Sequence, residues 1–583
     1  MDSNKIFKYA LYALAAILGL TIYNAWHKDY PTLMTTATTA TASTASSSQT
    51  GNNFVPQEAA PTAAATSAST SSTTPSMSTT PSTVAPSAAT TTSIAHFVHV
   101  KTDLINVAID PVGGYIVSTK LLKYPVSTAQ KNTPMQILNP NPNKIYVEQS
   151  GLIGAGSPNV HYHTVSSNYY MRPHQSTLVV TLKGQTSKGL RVNKTFTFTR
   201  NEYEIKLSTA VENASSSVWK GGFFHQIVRK NIPAAHPYLQ RRAYDGASIS
   251  THEKPYDKVS FKSMAEQNLN QTVVGGWVAM QQPYFVTSWV PHPKSINEFY
   301  SHSIGNGKDG ANDIFTLGYK STLVTLPPGK STVNKATFYV GPALATKLVQ
   351  ASPNLSNTID YGYLAPVSMV IFWFMKHIFS IIGNWGWTII LITLLIKLVF
   401  YPLSDKSYKS MAKMRLMQPR LKAIQDRHAG DKQATNKATM EFYKKEKLNP
   451  MGGCLPMLIQ IPVFFALYYV LIESVQLRQA PWIWWIHDLS VRDPFYILPI
   501  LMGASMFAQQ KLSPAPPDAT QAKVMMFMPI MFTVMFLWFP AGLVLYWLTN
   551  SLLSIGHQWY VLRTYDPKKE KYKKRDKIAK KKK

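Results

Sequence analysis

The hydrophobic pattern changes character along the chain. It opens on a continuous apolar run, Ile6–Trp26, flanked by Lys5 and interrupted by Lys8. From Pro31 to Ser93 the composition is almost wholly Thr, Ser, Ala and Pro. From Ile94 to Pro342 apolar residues recur with period two: Phe196 and Phe198 alternate with Thr195, Thr197 and Thr199, and Tyr203, Ile205 and Leu207 with Glu204, Lys206 and Ser208. Beyond Tyr361 long apolar runs return, separated by basic or aromatic segments.

Each regime predicts an element. The first run is long, and Tyr23, Asn24 and Trp26 are no small-residue cleavage site, so residues 1–28 are expected to be an uncleaved membrane anchor. Residues 29–93 cannot bury enough apolar area to offset their ordering entropy and are expected to be a disordered linker. Period-two alternation broken by turns such as Gly113-Gly114 and Pro327-Pro328-Gly329 predicts a large β-sandwich over residues 94–345. Residues 346–382 are expected to be a connector ending in an amphipathic helix that lies in the outer membrane interface.

The remaining runs predict membrane crossings. Gly383–Tyr401 is long enough for about 28 Å of helix, close to the thickness of a bilayer core. It is followed by Leu455–Ile472, Phe495–Gln510, Val524–Phe539 and Gly542–Leu562, so residues 383–562 are expected to form a five-helix core. Residues 402–448 hold twelve Lys/Arg against five acids, with a break near Gly430 that predicts a helical hairpin. The positive-inside rule places this hairpin and the basic tail, residues 563–583, in the cytoplasm and the sandwich on the other side. The fold class expected is thus a polytopic α-helical membrane protein of six transmembrane helices, five of them a bundle, with a large β-sandwich outside the cytoplasm.

Charge and chemistry sharpen this picture. The chain has 583 residues and a formal charge of +30, with its densest basic runs beside apolar spans, which favours an anionic membrane surface over sequence-specific nucleic acid. The lone cysteine, Cys454, forbids an intramolecular disulfide. Gly305–Gly310 satisfies G-x-G-x-x-G but precedes a strand-like segment, so it is read as a hairpin loop and not a phosphate cradle. His161 and His163 share a strand face, but no third metal ligand is indicated. Nucleotide-binding, metalloprotease and serine-hydrolase motifs are all missing, and neither enzymatic activity nor a cofactor is expected.

The candidate site lies in the bundle. Thr393 and Lys397 are four apart on one face of the Gly383–Tyr401 run. Two readings of Lys397 stay open on this evidence: a side chain snorkelling to the headgroups, or a polar centre lining an intramembrane cavity. Gln460 and the methionines of Val524–Phe539 are compatible with plain packing or with a wet recess and an adaptable surface.

Four stretches carry a resemblance: YPLSDKSYKSMAKMRLMQPRL, KEKLNPMGGCLPMLIQIPVFFALYYVL, WIHDLSVRDPFYILPILMG and FLWFPAGLVLYW. They closely resemble the YidC membrane protein insertases of Gram-negative bacteria. The resemblance implies an inner-membrane insertase and chaperone for nascent membrane proteins, acting alone or with the Sec translocon. It implies a hydrophilic groove open to cytoplasm and lipid, lined by Thr393, Lys397, Gln460, Tyr546 and Trp547. Lys397 stands where the family carries arginine, and the resemblance turns it from a snorkelling lysine into a functional one. A lipid-facing slide for the substrate would use Leu458, Phe464, Leu467, Met528, Met531 and Met535. Ribosomes contacting the basic tail and anionic phospholipids complete the expected partners. A solute transporter or channel with Lys397 as an anion site is the main rival, although the two related halves of such proteins are not visible. A sugar-processing β domain is a further rival, without an assignable carboxylate–histidine constellation.

Overall fold

The computed structural model describes residues 97–154, 160–233, 243–428, 430–446, 455–513 and 519–565. The expected anchor, linker and most of the basic tail lie outside these residues, as does the Leu458 side chain.

Residues 97–344 form the β-rich part, built on three sheets of five, nine and six strands. Pairing is antiparallel throughout, except where Val98–Lys101 runs parallel to Asn168–Tyr170. The alternation read from the sequence is the burial pattern observed: Phe196, Phe198, Tyr203, Ile205 and Leu207 all point into the core. The two larger sheets face each other. His225 of Trp219–Lys230 sits 4.6 Å from the Trp289 ring of Phe285–Pro291, and the Tyr146 hydroxyl donates across to Met280 O at 3.2 Å. Gly305–Gly310 falls between the paired strands Ile296–Ile304 and Ile314–Ser321, so it is a hairpin loop. Two short helices, α1 (Phe261–Glu266) and α2 (Ala345–Ala351), pack at the margins of this domain.

The helical part contains α3 (Ala365–Ile382), α4 (Trp385–Val399), α5 (Tyr401–Arg427), α6 (Lys432–Lys445), α7 (Leu455–Glu473), α8 (Ile497–Leu512), α9 (Ala519–Phe536) and α10 (Ala541–Thr564). Gly383, in the left-handed conformation at φ 71°, ends α3, and the Asn384 side chain caps α4 by accepting from Gly386 N and Trp387 N. The Gly383–Tyr401 run is not one straight span. It breaks at Phe400, just before Pro402, and α5 leaves α4 at 70°. Proline in the first turn starts a new helix readily, which accounts for the position of the break.

By length and composition, the one described helix apolar enough to cross a membrane is Gly362–Ile382, the segment expected to lie in the interface, or two if the bent α4–α5 pair counts as one span. The count of six crossings read from the sequence therefore exceeds what the described helices reach by this measure. α4 has 15 residues and α8 has 16, where a perpendicular crossing takes about 20, while α10 is long enough at 24 residues but carries Asn550, Ser551, Ser554 and Gln558 inside its apolar run.

The helices α5 and α6 fold back on each other, with Leu421 packed on Tyr443 and the Lys413 ammonium donating to Glu446 O at 2.6 Å. α10 is the centre of the bundle, packing on α4, α5, α7 and α8. The loop 474–496 folds over the end where α4, α8 and α10 begin. Leu477, Ala480, Ile486 and Leu489 enter the bundle core there, and Ala541 N and Gly542 N donate to Val491 O and Leu489 O. Buried Asp493 holds this cover in place by accepting from Trp485 Nε1, Phe495 N and Leu498 N.

The same loop docks the β domain. Arg478 donates to the carbonyls of Pro125 and Val126, both at 2.9 Å, with its guanidinium over the Phe285 ring. Val475 joins the β-domain core, and the connector adds Gln281 Nε2 donating to Thr358 O and a Lys258–Asp360 ion pair.

Candidate functional site

The buried face of α10 changes composition along its length. From Ala541 to Leu548 it is Ala, Gly, Leu, Val, Leu, Tyr and Leu; beyond that it is Asn550, Ser551, Ser554 and Gln558, with Val561 the one apolar residue, in the last turn. Polar side chains buried at this spacing form a stripe on one helix face, at i, i+4 and i+8. Facing it are Thr393 and Lys397 of α4 and Ser404, Ser407 and Tyr408 of α5, of which all but Lys397 are buried. The bundle thus has an apolar end sealed by the loop 474–496 and a polar end beside the hairpin α5–α6.

Lys397 is partly buried and donates to Ser554 Oγ at 2.7 Å. Among the described residues it makes no ion pair. Burial of an ammonium without a carboxylate is costly, and such a group persists where it meets polar partners, water or a charged ligand. Beside it His557 stacks on Tyr401 with ring centroids 4.4 Å apart, lies edge-on to Tyr408, and approaches Asp405 at 3.8 Å. The Thr393 hydroxyl is turned back to Ile389 O of its own helix at 2.6 Å, so it adds polarity to this face without crossing to another element.

The other residues expected in the groove form a second station nearer the sealed end. Gln460 of α7 donates to the Tyr546 hydroxyl at 3.3 Å, and Tyr546 is 1% exposed. Trp547 lies half-buried in an aromatic nest, edge-on to Phe464 at 5.0 Å and beside Phe532 and Phe536. The expected groove residues are therefore strung along α10: Tyr546 and Ser554 are eight residues apart, about 12 Å along the axis.

The expected slide is placed unevenly. Met531 is 60% exposed, and Met528, Met535 and Phe464 are half-buried. Leu467 is a correction: at 0% exposed it packs in the bundle core with Val463, Val470 and Leu471 and faces no lipid. A signal was present, since Leu467 lies seven residues after Gln460 and so shares the helix face that Gln460 turns to Tyr546. The exposed apolar surface of α9 is broader than its methionines and includes Val524, Phe527, Ile530 and Val534.

No three His, Cys, Asp or Glu side chains converge on a metal-binding geometry among the described residues. What the bundle presents is a buried polar face of hydroxyls and amides that carries one ammonium, under an otherwise apolar exterior.

Known proteins of similar sequence carry such a bundle as well. Two family models match, the 60Kd inner membrane protein over residues 377–570 and the YidC periplasmic domain over residues 97–374. A membrane protein insertase YidC of Coxiella burnetii is 46% identical over 580 residues, covering 99% of both chains. The chain belongs to the YidC membrane protein insertase family. A YidC insertase of Pseudomonas putida is likewise 46% identical over 474 residues, covering 80% of this chain and 83% of its own. A solved YidC insertase is 18% identical and covers 81% of this chain and 93% of its own, with a TM-score of 0.37. The YidC periplasmic-domain match coincides with the β-rich part and runs into α3, and the other match covers the bundle from the end of α3 onward.

The sequence reading passed over Ser554, Asn550, Gln558 and His557. A signal was present: Asn550, Ser554 and Gln558 recur every four residues inside the apolar run Gly542–Leu562. Small polar residues are common in membrane helices as packing groups, and only the facing Lys397 gives the stripe a partner.

Proposed function

We propose that the chain is an inner-membrane protein insertase and chaperone, and that the recess between α4, α5 and α10 receives the hydrophilic flank of a nascent membrane segment. The observation that carries this reading is the switch on the buried face of α10 from apolar to mainly polar, opposite the Lys397 ammonium, which has no carboxylate partner among the described residues. Near full-length identity to curated insertases supports the activity. In this reading Thr393, Lys397, Gln460, Tyr546 and Trp547 line the path. The exposed faces of α7 and α9, including Met528, Met531 and Met535, meet the apolar part of the substrate.

The chemistry required is modest. A carboxylate at the centre of a bilayer costs at least about 2.5–3.5 kcal/mol, and a cationic recess reaching partway across reduces that penalty. Transfer of the apolar segment to lipid drives the rest, without nucleotide or cofactor. The orientation that fits is a cytoplasmic hairpin α5–α6 and tail, with the β domain outside. The N-terminal run supplies a sixth crossing, and short helices such as α4 and α8 are accommodated by a locally thinned bilayer. Sec translocon, ribosome and anionic phospholipids are the partners this arrangement would meet.

The test is insertion into proteoliposomes of a single-span substrate with an acidic outer flank. Lys397→Arg retains most activity, since charge is kept. Lys397→Glu loses it, and wild-type insertion by Lys397→Glu would overturn the reading.

A further inference from the structure

A lysine this close to the end of its helix has an easier course than the one it takes. Lys397 precedes Tyr401 by one turn, and its stem is long enough to lift the amine along α4 toward the headgroups, as lysines near membrane boundaries do. Instead the side chain crosses to α10 and donates to Ser554 Oγ at 2.7 Å. Ser554 in turn donates to Asn550 O of its own helix at 2.7 Å.

A serine hydroxyl has one proton and two lone pairs. Here the proton goes to the backbone carbonyl of Asn550 and a lone pair takes the ammonium, so the hydroxyl is held from α4 and α10 together. The lysine keeps donors to spare. Its ammonium has three N–H donors and spends one on Ser554, and no carboxylate of the described residues pairs with it. The charged groups nearest this corner are His557 and Asp405. These interact with each other, and Asp405 is further engaged by Lys409 at 2.6 Å.

We propose that Ser554 is a positioning residue for substrate selection: it holds the Lys397 ammonium turned into the recess, where its remaining donors meet an acidic flank. The proposal rests on the reading of Lys397 as the cation that meets substrate. Ser554 touches the lysine and not the substrate, so its effect depends on flank charge and runs entirely through residue 397.

The experiment uses the full chain in proteoliposomes with two single-span substrates that differ only in an acidic or a glutamine-bearing outer flank. Ser554→Ala lets the lysine relax toward the headgroups. It is expected to lower insertion of the acidic substrate by about tenfold, the effect of one hydrogen bond to a charged group, and to leave the neutral one unaffected. Ser554→Thr keeps the hydroxyl and retains the preference. Ser554→Ala added to Lys397→Ala has no further effect. A merely structural serine would behave otherwise, lowering both substrates and adding to Lys397→Ala, and either result overturns the proposal, as does an unchanged acidic substrate in Ser554→Ala. If Lys397→Ala alone leaves the acidic substrate untouched, the underlying reading of the lysine fails first, and the positioning role with it.

Discussion

At the scale of single residues, Lys194, buried, and Lys397, partly buried, are held in different ways. Lys194 lies in the β-domain core, 0% exposed, and donates to the carbonyls of Gly113, Gly114 and Ser150. Glu148, equally buried, accepts from Ile116 N and attracts Lys194. Burial pushes Glu148 up from 4.5 to about 7 and Lys194 down from 10.5 to about 8, each partly offset by the other's charge. The raised carboxyl keeps in the fold a proton that the unfolded chain has released, so stability falls as pH climbs from 4.5 to about 7. The lowered lysine acts the other way and restores stability between about 8 and 10.5. Chemical unfolding of the full chain, followed by β-sheet signal, should show this descending limb, and Glu148→Gln should flatten it. A limb that persists in Glu148→Gln would assign the pH dependence elsewhere. Lys397 differs in having a hydroxyl and no carboxylate, the arrangement that leaves a charge available to a ligand.

At the scale of elements, close helix contacts depend on small residues. A Cβ on Gly503 of α8 would come within 1.9 Å of Thr533 Oγ1 on α9, and that hydroxyl is committed to Pro529 O at 2.7 Å. Thr533 can turn its hydroxyl away only by giving up that bond, and its Cβ would still stand 3.1 Å from the added carbon. Gly503→Leu is therefore expected to part α8 from α9 and lower the thermal midpoint in detergent by several degrees. Cysteines placed on the two helices near this contact should crosslink less efficiently; undiminished crosslinking would argue against the contact. The proposed slide lies on α9, so the same variant should slow insertion of every substrate regardless of flank charge. That separates an element effect from the charge-selective effect expected at Ser554.

At the scale of the molecule, the β domain is docked on the bundle through the loop that seals the bundle's apolar end. Arg478 is the hinge pin, with its guanidinium bridging Pro125 O and Val126 O over Phe285. Arg478→Ala should broaden the distance distribution between spin labels at the exposed positions Val165 and Val491, while core insertion persists because the recess lies at the opposite end. An unchanged distribution would transfer the docking to Val475, Gln281 and the Lys258–Asp360 pair. The tail 563–583 carries twelve Lys/Arg against three acids, more than topology alone requires. Truncation after Pro567 should reduce ribosome co-sedimentation and its salt slope, since a lysine-rich tail binds polyanions by counterion release. Co-sedimentation unchanged across a salt series would leave the tail a purely topogenic role.

Much of this organisation was legible in the order of residues. Period-two alternation gave the β-rich part, because a strand with one buried face has to alternate. Apolar runs between basic segments gave the helices of the bundle, and the Gly-Asp break at 430–431 gave the two arms of α5–α6. The direction of Lys397 was not legible. Snorkelling and crossing to Ser554 use the same sequence, and which one occurs depends on a hydroxyl from a helix that begins over a hundred residues later. The inward face of α7, which buries Leu467, was marked in an apolar run by Gln460 alone, and the break at Phe400 was hidden in a run that read as one span. Docking by Arg478 was equally invisible, because its acceptors are backbone carbonyls, which every residue possesses and only tertiary structure selects. Sequence determined which segments seek apolar surroundings, through local periodicity and transfer energy. Tertiary structure decided which polar groups inside them meet, because that depends on helices brought together from distant parts of the chain.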